Sequence, residues 1–438
     1  MSINANQVRE VLSKNILADG FEPIIDLQKS HGSYLVDQRN GDEYLDMFSM
    51  YASGAVGYNH PYILEHKDIL GEIAINKTTL SDIYNVYYAD FMETFSKYAM
   101  PDYLKKVFFI DGGSLAVENA LKAAFDWKKR KNLESGFKQE GDKIIYFKQS
   151  FHGRSGYTLT LTNTSDPRKT MYFPKFPWFK VDNPKLSFPI NDDVLNDVGN
   201  KENDVIANIN TIVSDNPNDI AAIIIEPIQG EGGDNHFRDE FMIQLREICN
   251  NHDIILIFDE VQTGIGITGK MWAHEHFSVK PDIVSFGKKT QVCGMMASNR
   301  IYDFENNVFK ESSRINSTFG GNLVDMYRFK LILEIMCNEN LFSNAQEMGY
   351  HLLKNINELT NEFPGYITNP RGQGLFCAFD LPSTIERDKM ISKLLEKKLI
   401  ILGSGDNSIR FRPHLNVKKE DIDLALQKIN AVCKDMLN

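Results

Sequence analysis

Five short apolar runs punctuate the middle of the chain: Val107–Ile110, Ile144–Phe147, Ala221–Ile225, Ile254–Phe258 and Ile283–Phe286. Runs of this length, nearly free of polar alternation, predict strands buried on both faces. Between several of them the apolar spacing switches to the helical period: Ala116, Ala120, Ala123, Ala124 and Trp127 fall on one face. Buried strands alternating with helices predict an α/β fold on a mostly parallel sheet.

The two ends of the chain have other patterns. Residues Asn6–Leu17 carry a helical pattern, and Tyr34–Asp37 and Glu43–Met47 flank Asn40-Gly41, a pair suited to a hairpin turn. From Tyr327 the order is helix Arg328–Glu339, helix Asn344–Phe363, strand Gly374–Asp380, helix Ile385–Lys397, a short strand and helix Lys419–Leu437. A chain of 438 residues exceeds the size at which one core keeps growing. The expected division is a large domain, 61–326, and a small α+β domain, 327–438, with the N-terminal segment 1–60 packing on the small one.

The segments after the central strands carry the chemistry. Val107–Ile110 leads into Asp111-Gly112-Gly113-Ser114, and Ile144–Phe147 precedes Phe151-His152-Gly153-Arg154. Ala221–Ile225 leads into EPIQGEGG (Glu226–Gly233), Ile254–Phe258 into DEVQTG (Asp259–Gly264), and Ile283–Phe286 into Gly287-Lys288-Lys289. Ligands of parallel sheets lie beyond the carboxyl ends of the strands. Five polar or glycine-rich segments delivered to one edge define a site.

The Gly-Gly-Ser turn suits an anion, because small residues allow close approach and the free N–H groups of a helix start favour negative charge. It matches neither phosphate-loop pattern of nucleotide-binding proteins, and alone it is no more than a serine-capped turn. Asp259 closes an apolar strand, where a buried carboxylate needs a cationic partner. A protonated pyridine nitrogen is one such partner, although a single strand-end Asp is most often simply solvated. Lys288 sits where an amine can be kept deprotonated for imine formation, and its neighbour Lys289 shares that setting. His274 and His276 lack further ligands at metal spacing and are expected to be structural, with no metal bound.

Composition narrows the partners. A net charge of −11 argues against nucleic acid. No apolar stretch reaches the length of a membrane span, and the opening MSINANQVRE does not resemble a secretory leader. Five scattered cysteines (Cys249, Cys293, Cys337, Cys377, Cys433) fit reduced thiols in a cytoplasm.

The segments AAIIIEPIQGEGG, LIFDEVQTGIGITGK, PDIVSFGK and NSTFGGN, in this order and spacing, resemble the class III aminotransferases, a branch of the fold-type-I enzymes that use pyridoxal 5′-phosphate (PLP). The likeness runs from about Gly32 to the C-terminus. It implies a seven-stranded-type, mostly parallel sheet flanked by helices, plus a smaller α+β domain. It also implies that Lys288 forms the Schiff base and carries the proton, that Asp259 pairs with the pyridine nitrogen, and that Gln262 serves the phenolate oxygen or substrate carboxylate. Gly113 and Ser114 would bind phosphate, Phe151 would stack on the ring with His152 beside it, and Thr318 would reach the phosphate in a neighbouring subunit, hence a homodimer with shared sites.

Within the class, GGSLAVENALKAAFDWK, FHGRSGYTLTLTNT, FPKFPW, EPIQGEGGDNHFR and FGKKTQVCG are most similar to the branch acting on the ε-amino group of L-lysine. Leu115, where most of the class has Glu, and KTQVCG after the lysine agree with that branch. The implied reaction takes L-lysine and 2-oxoglutarate in two half-reactions. Its difficulty is that 2-oxoglutarate brings a carboxylate to the reacting carbon and lysine only methylenes. On the resemblance, Arg410 binds that carboxylate, Glu231 swings in to neutralise it for lysine, and Arg154 holds the distal carboxylate of either. Arg412 shares a strand face with Arg410 and competes for its role. Other ω-aminotransferases (for ornithine or 4-aminobutyrate), a PLP aminomutase or racemase, and a non-catalytic relative are the alternatives.

Overall fold

The computed structural model describes residues 3–437. Its centre is a seven-stranded sheet in the order Leu104–Ile110, Cys293–Ser298, Ile283–Phe286, Ile255–Asp259, Ile220–Ile225, Lys143–Phe147, Phe179–Val181. All pairings are parallel except the two made by Cys293–Ser298, which is antiparallel to both neighbours. Every residue of Ile220–Ile225 is buried, as a strand covered on both faces must be. On one face the alanines of helix Gly113–Glu134 and its Trp127 pack against Ile144, Ile224 and Ile257. On the other, Phe241, Leu245 and Cys249 of helix Asp239–Asn251 pack with Val205 and Ile209 of helix Asp192–Asp215 against Ile223 and Leu256. Each such buried side chain contributes about 1.5–3 kcal/mol.

The C-terminal part carries an antiparallel four-stranded sheet in the order Thr368–Gln373, Phe376–Asp380, Ser408–Phe411, Leu402–Ser404. Helices Leu341–Glu362, Thr384–Glu396 and Lys419–Leu437 surround it. The hairpin Tyr34–Val36 and Glu43–Asp46 joins this part, Leu45 pairing in parallel with Leu399. None of the helices among the described residues is long and apolar enough to cross a membrane.

Three differences from the sequence expectations have physical causes. The Asn6–Leu17 pattern yields only a turn, Ala5–Gln7, and a short helix, Val8–Ser13, because none of its side chains finds a core to bury against. Strand Cys293–Ser298 (CGMMAS) lacks β-branched residues, so packing rather than propensity makes it. Strand Thr368–Gln373 contains Pro370 and accommodates it beside a register shift.

Candidate active site

The strand-end segments meet at the carboxyl edge of the large sheet. Ser285 lies opposite Asp259 in the parallel register, so Asp259 and the Gly287-Lys288 turn extend from adjacent strands. A Cβ on Gly287 would lie 3.3 Å from Val261 Cγ1 and 3.5 Å from the Gly113 Cα. The anion-suited turn, the Asp259 loop and the lysine turn are therefore in mutual contact.

Lys288 has φ +55°, a left-handed conformation that a lysine holds only when its surroundings dictate it. Its Nζ donates to the Tyr51 carbonyl at 3.1 Å. Tyr51 belongs to a left-handed turn, Ser49–Ala52, with φ of +41°, +53°, +57° and +66°. Asp46 holds the turn's entry: its Oδ1 accepts the Phe48 and Ser49 N–H groups, each at 2.8 Å, and its Oδ2 accepts the Tyr58 hydroxyl at 2.6 Å. Burial, then the charges of Arg410 and Arg412, pulls the Lys288 pKa down to about 7. Lys289 is instead sealed in the core with its amine 3.4 Å from the Gln262 carbonyl. Of the two amines, only Lys288 is not fully buried.

Asp259 is buried, and its Oδ2 lies 2.7 Å from His152 Nδ1 while its Oδ1 accepts the Val261 N–H at 3.1 Å. The His152 Nε2 is buried without a partner. Phe151 is half-buried, with its N–H fixed at 2.9 Å on Glu226 Oε1. Glu226 also accepts the Gly230 N–H at 3.1 Å, and burial, with Asp259 next, raises its pKa well above the carboxylate range.

Gly112, at φ +96°, caps helix Gly113–Glu134 without any side-chain hydrogen bond, so its first N–H groups remain available. Ser114 Oγ lies 2.6 Å from both Ser155 Oγ and Thr158 Oγ1. A Cβ on Gly153 would sit 2.3 Å from that Ser114 Oγ, so the Phe151–Arg154 segment is pressed against the turn. Arg154 is exposed and makes no hydrogen bond or ion pair among the described residues.

The two arginines left open by sequence differ sharply. Arg412 is locked: Nη1 and Nη2 reach Asp234 at 2.8 and 2.6 Å, Nε and Nη2 reach Gln262 Oε1 at 3.1 and 2.9 Å, and the guanidinium stacks on Phe376. Among the described residues Arg410 has no carboxylate within ion-pair distance; there it reaches only Gln262 Oε1, at 3.4 Å, and its Nε is buried without a partner. Burial and Arg412 lower its pKa to about 10. Glu231 is close enough to influence that charge, but its Oε1 is bonded to Lys169 and to the Thr164 hydroxyl, the latter at 2.9 Å.

The chain matches the aminotransferase class-III profile over residues 17–433. It belongs to the class-III aminotransferases. Curated relatives include an L-lysine-epsilon aminotransferase of Mycobacterium tuberculosis, 45% identical over 97% of this chain and 95% of that protein. Another, from Amycolatopsis lactamdurans, is 42% identical over 98% of this chain and 96% of that protein. Among solved structures, a lysine aminotransferase from M. tuberculosis in its internal aldimine form superposes with a TM-score of 0.97 at 45% identity, covering 99% of this chain and all of that one.

Class-III aminotransferases depend on PLP, and the residues present fit it. The sheet edge offers an amine of lowered pKa, a buried carboxylate fixed by His152, a glycine-capped helix start with free N–H groups, and the unpartnered His152 Nε2. Thr318 stands apart from these: it lies on an exposed turn with no hydrogen bond to any of the other candidates among the described residues. His274 is tied to Glu260 and Tyr103, each at 2.8 Å, and His276 to Thr268. Sequence reasoning missed Asp234 and Tyr51, and it placed Glu226 at the strand end without assigning it a role. Asp234 directly succeeds the QGEGG run, which was a usable signal. Tyr51 gave none, because a left-handed turn without glycine has no residue signature.

Proposed function

We propose that this class-III aminotransferase moves the ε-amino group of L-lysine to 2-oxoglutarate, giving L-2-aminoadipate 6-semialdehyde, which cyclises, and L-glutamate. The observation that carries this reading is the inequality of Arg410 and Arg412. Arg412 is neutralised by Asp234, whereas Arg410 is buried, lacks a carboxylate partner among the described residues, and has Glu231 close by. A substrate carboxylate can complete Arg410, as 2-oxoglutarate would. When lysine brings only methylenes, Glu231 can complete it instead, which avoids an unpaired buried charge. The lysine-specific relatives at 41–45% identity support the donor.

When bound, PLP supplies an electron sink conjugated with the amine-bearing carbon of the substrate. The residues that would hold it are Lys288, Asp259 with His152, Gly113 and Ser114, Phe151 and Gln262. Asp259 would keep a proton on the ring nitrogen, and His152 would keep Asp259 in place. Lys288 Nζ, with a pKa of about 7, is matched to taking a proton from the donor carbon, and it would deliver that proton to the C4′ carbon of the cofactor. Exposed Arg154 would grip the distal carboxylate with its two parallel N–H groups.

Thr318 supports a homodimer in which it serves the partner's phosphate. Exposed apolar residues Ile83, Tyr84, Val86, Tyr172 and Phe173 supply surface for such an interface. Five unpaired cysteines support a reducing, cytoplasmic location.

The test incubates holoenzyme separately with L-lysine, L-ornithine and 4-aminobutyrate, monitoring conversion of the cofactor to its pyridoxamine form and the cyclised lysine product. Preference for lysine by tenfold or more in rate over KM supports the reading; preference for either other amine overturns it.

A further inference from the structure

We infer that Lys169, assisted by Thr164, is a positioning residue that holds Glu231 away from Arg410 and so sets how the pocket is shared between oxoacid and amine donor. The inference rests on the proposed function, in which Glu231 alternates between two places. Nothing in the motifs around the lysine turn or the QGEGG run points to Lys169; the assignment comes from the geometry.

The main chain at Glu231 is pinned on both sides. The Gly405 N–H donates to the Glu231 carbonyl at 2.7 Å, and Asn235 Nδ2 donates to the Gly232 carbonyl at 3.0 Å. A Cβ on Gly232 would lie 2.0 Å from the Gln149 carbonyl oxygen, so this stretch cannot shift toward the turn that follows strand Lys143–Phe147. Any movement of the carboxylate must therefore be a rotation of the Glu231 side chain.

That side chain is held by one oxygen only. Lys169 Nζ and Thr164 Oγ1 both donate to Oε1, while Oε2 is buried without a partner. Arg410 presents the complementary lack, a buried Nε without an acceptor. The cation that parks Glu231 is also singled out by its turn. Asp166 caps Pro167–Lys169 by accepting the Arg168 N–H and pairing with the Arg168 guanidinium at 2.8 and 3.0 Å, which occupies Arg168 and leaves Lys169 as the charge facing Glu231.

Release is easy on the Lys169 side. Lys169 and Glu231 border a polar surface cavity of about 470 Å³, shared with Ser165, Arg387 and Asp406. When Glu231 leaves, the ammonium is rehydrated there, and the half-exposed pair contributes only a modest bias. A modest bias is what a two-position switch needs, because a strong one would lock it.

The experiment measures both half-reactions in wild-type holoenzyme, Lys169→Ala, Lys169→Arg, Glu231→Gln and the double variant Lys169→Ala/Glu231→Gln. Loss of the parking cation moves Glu231 toward Arg410. The KM for 2-oxoglutarate then rises relative to that for L-lysine, the ratio shifting about two- to fivefold, the span of a partly solvated ion pair. Lys169→Arg restores the wild-type ratio, and in the Glu231→Gln background Lys169→Ala adds no further shift. An unchanged ratio in Lys169→Ala, or the same shift with and without Glu231, overturns the inference. If wild-type enzyme converts lysine while the ratio stays unchanged, the function stands and only the Lys169 assignment falls. If wild-type enzyme fails with both lysine and 2-oxoglutarate, the function and the inference fall together.

Discussion

Arg412 and Asp234 form a closed, doubly hydrogen-bonded pair at 2.8 and 2.6 Å, with both side chains essentially excluded from solvent. Two residues earlier, within strand Ser408–Phe411, Arg410 has no carboxylate partner among the described residues. The pairing commits Arg412 to the scaffold and leaves the Arg410 guanidinium uncommitted, as the proposed substrate role requires.

The two should therefore fail differently. Arg412→Met strands Asp234 as a buried charge and costs about 3–5 kcal/mol of stability, measured by denaturant unfolding. Arg410→Met leaves no carboxylate unpaired and keeps stability within about 1 kcal/mol of wild type. It raises the KM for 2-oxoglutarate by about a hundredfold, as removal of a charged hydrogen bond from a buried site does. Equal stability losses in both would contradict the division.

Lys288 gives the cofactor-free chain a pH dependence. Its pKa drops from 10.5 to about 7 on folding. Between those values the unfolded chain binds a proton that the folded chain does not, so stability rises with pH across this window and the benefit is lost as pH falls toward 7. Lys288→Met should flatten that rise in denaturant melts. Capture of PLP by wild type, which needs the neutral amine, should reach half its limiting rate near pH 7, and Lys288→Ala should show neither imine absorbance nor turnover.

His152 acts through Asp259. His152→Leu removes the 2.7 Å hydrogen bond from a buried carboxylate, a loss of about 1–3 kcal/mol. The dissociation constant for PLP should increase about tenfold or more, read by titrating apoenzyme. Unaltered affinity would mean that Asp259 does not depend on this contact.

Two neighbouring glycines should separate folding from function. A Cβ at Gly232 meets a backbone carbonyl at 2.0 Å, whereas one at Gly230 meets the movable Gln262 amide at 2.3 Å. Gly232→Ala should lower the melting temperature by several degrees, since main chain must shift. Gly230→Ala should melt near wild type but lose at least tenfold in rate over KM, because Gln262 is driven off its arginines. The reverse order of damage would refute this assignment of the two clashes.

The central strands and the segments after them were legible because burial on both faces writes itself as unbroken apolar runs, and because Asp259 and Lys288 interrupt those runs abruptly. Strand Cys293–Ser298 was not, since its residues have no strand preference and its place depends on Phe286 and Phe109 across the sheet. Strand geometry alone could not separate Arg410 from Arg412, which lie in one short segment; the family resemblance preferred Arg410, and the physical distinction comes from the distant Asp234. Lys169 shows the same limit, for an ordinary surface lysine acquires its meaning only from the carboxylate folded against it.

The stitching of the chain's beginning to its end has a consequence for synthesis. The Arg412 N–H bonds to the Met47 carbonyl and the Leu415 N–H to the Ala55 carbonyl, each at 2.8 Å, beside the Leu45–Leu399 pairing. A nascent chain that has emerged through Lys288 holds the amine and the acid but neither arginine, and its left-handed Tyr51 turn still awaits those partners. The proposed site is therefore assembled only when residues 399–415 join the segment 45–55.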